Sequence, residues 1–117
     1  MHQNSKLYIV SHKELSPGSQ ASQLLHAAIE FSIQYQDIIK EWHNISNTIV
    51  LLTTSNEHKL KKLFDKAVQK NIKMAVFYEP DFNNALTAIA FEPTEEVSNL
   101  LRELPLALSN KVSSQPQ

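Results

Sequence analysis

Apolar residues along this chain alternate between short continuous runs and longer stripes of helical period, the pattern of strands interleaved with helices. Residues 7–11 (Leu-Tyr-Ile-Val-Ser) are apolar and partly β-branched and stop at polar residues, then at Pro17 and Gly18, so they read as a strand entering a tight loop. Over residues 19–35, Ala21, Leu24, Leu25, Ala28, Phe31 and Tyr35 recur at helical spacing. They predict a helix with one broad apolar face centred near Ala28 and with Ser16 or Ser19 as its N-cap. Residues 37–43 predict one or two further helical turns. The run 48–53 (Thr-Ile-Val-Leu-Leu-Thr) is continuously apolar, which predicts a strand covered on both faces at the centre of a sheet.

Thr54-Ser55-Asn56-Glu57 fits a capping box, and Leu60, Leu63, Phe64, Ala67 and Val68 follow as an i, i+3, i+4, i+7, i+8 stripe. Asn71 can end that helix. Met74, Val76 and Tyr78 alternate as a third strand, residues 79–84 form a loop, and residues 85–91 form a fourth strand. Pro93 and Thr94 open a last helix, with Glu95 and Glu96 near its N-terminal dipole and Leu100, Leu101 and Leu104 as its apolar face. Pro105 stops it. This order predicts an α/β fold in which one mixed four-stranded sheet carries helices on both faces, in a single domain over residues 1–108. Residues 109–117 have no periodicity and end Ser-Ser-Gln-Pro-Gln, so they are expected to be a disordered tail.

Composition narrows the function classes more than it selects one. At 117 residues the chain is the size of one domain with one core. It has no Cys, no apolar run long enough to span a bilayer, and a polar N-terminus unlike a secretory signal, so a cytoplasmic location is expected. His2, His43 and His58 have no partner at metal-ligand spacing, and neither a metal nor a cofactor is expected. The formal net charge of −1 does not announce a nucleic-acid binder, but six of the eleven basic residues (Lys59, Lys61, Lys62, Lys66, Lys70 and Lys73) crowd one short stretch. Four of them advance by three or four positions and so line one side of the predicted helix. They read as an ordinary solvated face or as a local contact for a phosphate backbone.

The segment 14–28 (Glu-Leu-Ser-Pro-Gly-Ser-Gln-Ala-Ser-Gln-Leu-Leu-His-Ala-Ala) resembles the loop and first helix of the archaeal/eukaryotic-type (class II) peptidyl-tRNA hydrolases. In that family a Gly-rich loop leads into a helix carrying A-x-Q-x-x-H-A-A, matched here by Ala21, Gln23, His26, Ala27 and Ala28. The similarity runs on through Lys40-Glu41-Trp42, the central strand, the Lys-rich helix, Glu79-Pro80-Asp81 and Ala88-Ile89-Ala90. Ser19 stands where the family carries a catalytic Lys, which marks a divergent, bacterial-like member. The later D-A-G-x-T segment is matched by Asp81 alone, Thr87 being an open candidate for its Thr.

The resemblance implies hydrolysis of the ester between tRNA and an N-blocked aminoacyl or peptidyl group. The site it implies has His26 as general base or orienting group, Gln23 holding the ester carbonyl or ribose, and Asp81 in support. Ser19, Gln23, His26 and Glu30 fall in one arc of the helical wheel, which reads equally as a solvated face. Asp81 has a plain reading as a turn residue after Pro80. Gly18 and Ser19, at the positive end of the helix, read as a phosphate cradle or equally as a plain capped turn; with Lys62 and Lys66 they are the expected contacts to tRNA. A homodimer is also expected, with Leu106 and Leu108 left over beyond the last helix. The alternative to catalysis is a tRNA-binding or protein-interaction module on the same fold.

Overall fold

The computed structural model describes residues 5–109. Strand β1 (Lys6–His12) leads into helices α1 (Pro17–Gln34) and α2 (Gln36–Ile45), then β2 (Thr48–Thr54), α3 (Glu57–Gln69), β3 (Met74–Glu79), a 3₁₀ turn (Pro80–Phe82), β4 (Ala85–Phe91) and the short α4 (Glu95–Leu100). The sheet order is β2-β1-β4-β3, with β1 parallel to β2 and β4 antiparallel to both β1 and β3. The fold is thus the expected α/β layer with a mixed four-stranded sheet. Of the expected tail, residues 110–117 lie outside the described residues.

Strand residues of opposite parity feed two cores, because successive side chains point to opposite faces. Tyr8, Val10, Ile89 and Phe91 pack with Leu60, Ala67, Val97 and Leu101 on the α3/α4 face. Leu7, Ile9, Ala88 and Ala90 pack with Leu24, Ala27, Phe31 and Trp42 on the α1/α2 face. Phe31, Phe91, Leu60 and Ile89 are fully buried, each contributing about 1.5–3 kcal/mol of transfer free energy.

Three local expectations are corrected. Strand β2 is not central: it lies at one end of the sheet, with Ile49 exposed and only Leu52, Thr53 and Thr54 buried. Its outer edge is instead satisfied by the chain after α4, where Thr53 N–H donates to Pro105 O (3.1 Å) and Ala107 N–H to Leu51 O (2.8 Å). The N-cap of α3 is Asn56, whose side chain accepts from Lys59 N–H (2.9 Å), rather than Thr54, which closes β2. Glu57 is drawn away from the cap to accept from Leu86 N–H (3.1 Å). Finally, α1 begins at Pro17 with Ser16 as its N-cap, so Pro17 and Gly18 form its first turn rather than a loop.

Candidate active site

The C-terminal ends of β1, β2 and β3, the start of β4 and the N-termini of α1 and α3 all lie at one end of the sheet, the customary location for sites in open α/β folds. There the α1 face of the sheet turns polar. Ser11 of β1, Thr53 of β2 and Thr87 of β4 are buried at 0%, 2% and 0% exposure, and α1 lowers two buried amides, Gln20 and Gln23, onto them. Gln20 donates to Leu15 O (2.9 Å) and its Oε1 lies 3.4 Å from the Thr53 hydroxyl. Gln20 thereby ties the segment before α1 to the sheet.

Gln23 makes the more consequential pair of bonds. Thr87 Oγ1 donates to Gln23 Oε1 (2.7 Å), and Gln23 Nε2 donates to Glu79 Oε1 (2.8 Å). Both ends of the amide are engaged, so the orientation of Gln23 is set and the Glu79 carboxylate is aimed by it. The second carboxylate oxygen, Oε2, accepts from Asp81 N–H (3.2 Å). The hydrogen bond from Gln23 is the largest influence holding the Glu79 carboxyl below its ordinary range, followed by the Asp81 N–H; nearby His26 adds in the same direction while partial desolvation opposes it. Glu79 is therefore an ionised acceptor at neutral pH. His26, exposed on the next turn of α1, stacks on Phe77 of β3 with centroids 4.4 Å apart and planes 7° from parallel.

The expected residues thus divide. Gln23 and His26 both meet the end of β3, but Gln23 leaves the solvent arc expected with Ser19, His26 and Glu30: it is 4% exposed and turned into the sheet. The buried side of α1 runs along Gln20, Leu24, Ala27 and Phe31, roughly 70° around the wheel from the expected apolar centre at about 100° per residue. Asp81 sits exposed on the 3₁₀ turn and meets the cluster through its backbone N–H; the carboxylate that faces Gln23 belongs to Glu79, two residues earlier. Gly18 is exposed in the first turn, and beyond its chain neighbours and its own helix backbone no atom lies within 4 Å of where a Cβ would be, so the fold itself does not require glycine there. Ser19 N–H is bonded to Ser16 Oγ (3.3 Å). Lys62 and Lys66 lie on α3, behind the opposite face of the sheet, beside a groove of about 240 Å³ lined also by His58, Lys59, Leu63 and Leu104.

Glu79 and Thr87 join this candidate site without an assignment from the sequence, where Thr87 stood only as an open candidate for the family's Thr. Their signal was slight: a carboxylate and a hydroxyl at strand ends are ordinary. A comparison with protein families matches residues 5–107 to peptidyl-tRNA hydrolase PTH2. The chain belongs to this family. A search of curated proteins returns no match. The PTH2 match spans every element from β1 to the segment beyond α4, so the polar end of the sheet lies wholly within it. Among the described residues of this PTH2 member, no helix is long and apolar enough to cross a membrane, and no three His, Asp or Glu side chains gather as metal ligands would.

Proposed function

We propose that the protein is a carboxylic-ester hydrolase acting on peptidyl-tRNA or N-blocked aminoacyl-tRNA in the cytoplasm, with water as the second substrate. The observation that carries this reading is the Thr87–Gln23–Glu79 chain, a buried donor and amide that hold one ionised carboxylate within the electrostatic reach of the exposed His26, within a chain of the PTH2 family. Glu79 accepts a proton from water as its oxygen adds to the ester carbonyl carbon. His26 orients that water or passes the proton to the departing ribose oxygen. Gln23 acts by holding Glu79, and Asp81 supports it through the N–H that binds the other carboxylate oxygen. The first turn of α1 carries backbone donors without intrahelical partners, among them the N–H of Gly18, which together with Ser19 suits an anionic part of the substrate. Lys62 and Lys66 take the RNA backbone on the far side of the sheet end.

Release of the blocked amino acid from N-acetyl-aminoacyl-tRNA tests the reading directly. Wild type turns over above the buffer rate, and Glu79→Gln, which keeps an acceptor for Gln23 and loses the charge, falls by about 10²-fold or more. Wild-type turnover in His26→Ala removes His26 from the mechanism. Equal rates for wild type and buffer leave the second reading, a tRNA-binding module without turnover, which is favoured by one observation: Ser19 in the place of the family's Lys.

Self-association belongs to the same proposal. Leu106 and Leu108 remain 61% and 45% exposed, and α1 presents Leu25, Ile29 and Ile33 outward at a spacing of four. A second copy is the partner we assign to these apolar surfaces. Sedimentation at micromolar concentration gives a dimer on this view, and a species of about 13 kDa counts against it.

A further inference from the structure

The position of Thr87 depends on an irregularity in the sheet. Along β3 and β4 the pairs run Val76↔Ile89 and Phe77↔Ala88, then jump to Tyr78↔Leu86, so Thr87 has no opposite residue. It is the extra residue of a β-bulge. Without the bulge, strict alternation would send Thr87 to the face opposite Ala88, because a one-residue slip turns a side chain over. With the bulge, Thr87 and Ala88 both serve the α1 face, Ala88 in its apolar core and Thr87 on Gln23.

The carbonyl of the same residue is held by a side chain of β1. The β1–β4 ladder runs through Tyr8↔Phe91, Ile9↔Ala90 and Val10↔Ile89 and stops there, so the fully buried Thr87 lies beyond its last pair. Ser11, the next residue of β1, reaches it: its hydroxyl, at 0% exposure, donates to Thr87 O at 2.8 Å. Ser11 O is in turn 3.4 Å from the Thr53 hydroxyl, which joins β2 to the same belt.

We propose that Ser11 is a positioning residue of the site: by holding the Thr87 carbonyl it keeps the bulge in place and so keeps the Thr87 hydroxyl on Gln23 and Gln23 on Glu79. Ser11 touches neither Gln23 nor the carboxylate; it acts through the backbone of Thr87. Removing its hydroxyl takes a 2.8 Å bond from a buried carbonyl, and the strand then shifts toward regular pairing, which carries the Thr87 side chain away from α1. The inference rests on the proposed hydrolysis only for its kinetic readout.

The test compares Ser11→Ala and Ser11→Thr with Val97→Ala, a truncation in the other core that lowers stability without touching the belt. The readouts are side-chain amide NMR of Gln23 and steady-state turnover of N-acetyl-aminoacyl-tRNA. In Ser11→Ala the Gln23 side-chain resonances shift and their hydrogen exchange speeds up, and kcat falls at least tenfold with KM within twofold. Ser11→Thr restores both toward wild type, and Val97→Ala moves neither. Gln23 resonances and exchange unmoved in Ser11→Ala overturn the proposal, whatever the stability, as does a loss of kcat matched by Val97→Ala. If wild type does not hydrolyse the ester, the hydrolase reading fails while the NMR comparison still decides the role of Ser11. If Ser11→Ala does not fold, Ser11→Cys, close in size and a weaker donor, is held to the same expected shift.

Discussion

Helices α1 and α3 pack on opposite faces of one sheet, and only one of them obeys its own hydrophobic pattern. On α3, Leu60 and Ala67 are buried, Leu63 and Phe64 are half-buried, the lysines face solvent, and of the expected stripe only Val68 is exposed. On α1, Gln20 and Gln23 are buried while Leu25, Ile29 and Ile33 are 58–64% exposed. The difference lies in what each helix meets. The α3 face of the sheet offers Tyr8, Val10, Ile89 and Phe91, where an amide would have no partner. The α1 face ends in Ser11, Thr53 and Thr87, so an amide there finds donors and acceptors, and burial of polar groups becomes favourable. A helix that carries a site is positioned by its polar partners as much as by its apolar ones.

The largest expected effect tests whether the two helices are equal as structural elements. Phe31→Ala on α1 and Leu60→Ala on α3, both at 0% exposure, should cost about 3–5 kcal/mol and about 2–5 kcal/mol respectively, read as a shift of the denaturation midpoint. Leu63→Ala and Phe64→Ala should fall at or below the low end of that range, since both side chains are half-buried.

A smaller effect separates the helices by chemistry. Gln23→Leu should cost about 1–3 kcal/mol, because the Thr87 hydroxyl loses its nearest acceptor in a buried setting, and ester hydrolysis should fall with it. Reversing Lys62 and Lys66 to Glu on α3 should leave stability within about 0.5 kcal/mol. It should also weaken tRNA binding and flatten the slope of log affinity against log salt by about 0.7–0.9 for each phosphate that is no longer neutralised. An unchanged slope would return the lysines to an ordinary solvated face.

A weaker effect arises at the end of β1, on the α3 side. His12 is 4% exposed, its Nδ1 has no hydrogen-bond partner, and Glu14 Oε1 lies 3.9 Å away. Burial is the largest influence and lowers its pKa from the ordinary 6.5, with Glu14 and Glu57 opposing. Because the folded state binds this proton less readily than the unfolded chain does, the contribution to stability is complete above pH 6.5 and is lost as pH falls through the lowered folded value. Denaturation midpoints measured from pH 7.5 to 5 should therefore decline more steeply in wild type than in His12→Leu, by at most about 1.4 kcal/mol per pH unit for one proton.

The smallest expected effect on stability lies on the outer stripe of α1. Leu25→Ser, Ile29→Ser and Ile33→Ser should each change monomer stability by under about 0.5 kcal/mol, since none of the three is buried. Dimer dissociation with intact folding in the triple variant would tie self-association to this stripe.

Element order and strand-forming runs were legible because they depend on local spacing: the helices and strands of residues 6–91 appear where periodicity puts them, within a few residues. Strand position was not, because an apolar run does not say whether its backbone edge pairs with a further strand or with a returning segment, and residues 105–107 supply the latter for β2. Gln23 and His26 were legible through a motif. Glu79 was hidden by two residues in favour of Asp81, since both are acids at one turn and only the register of β3 against α1 decides which one reaches Gln23.

By itself, the sequence determined the layer architecture, the family and the helix that bears the candidate site, since each follows from periodicity or from a motif within about thirty residues. Only the tertiary structure decided which side of α1 turns inward and which carboxylate and hydroxyl complete the cluster. The physical reason is the distance along the chain: Gln23 meets Glu79 and Thr87, which lie 56 and 64 positions away, and Ser11 meets Thr87 across 76. Hydrogen bonds of that span depend on strand order and on a single unpaired residue in β4, and neither leaves a periodic trace in the amino acids that make them.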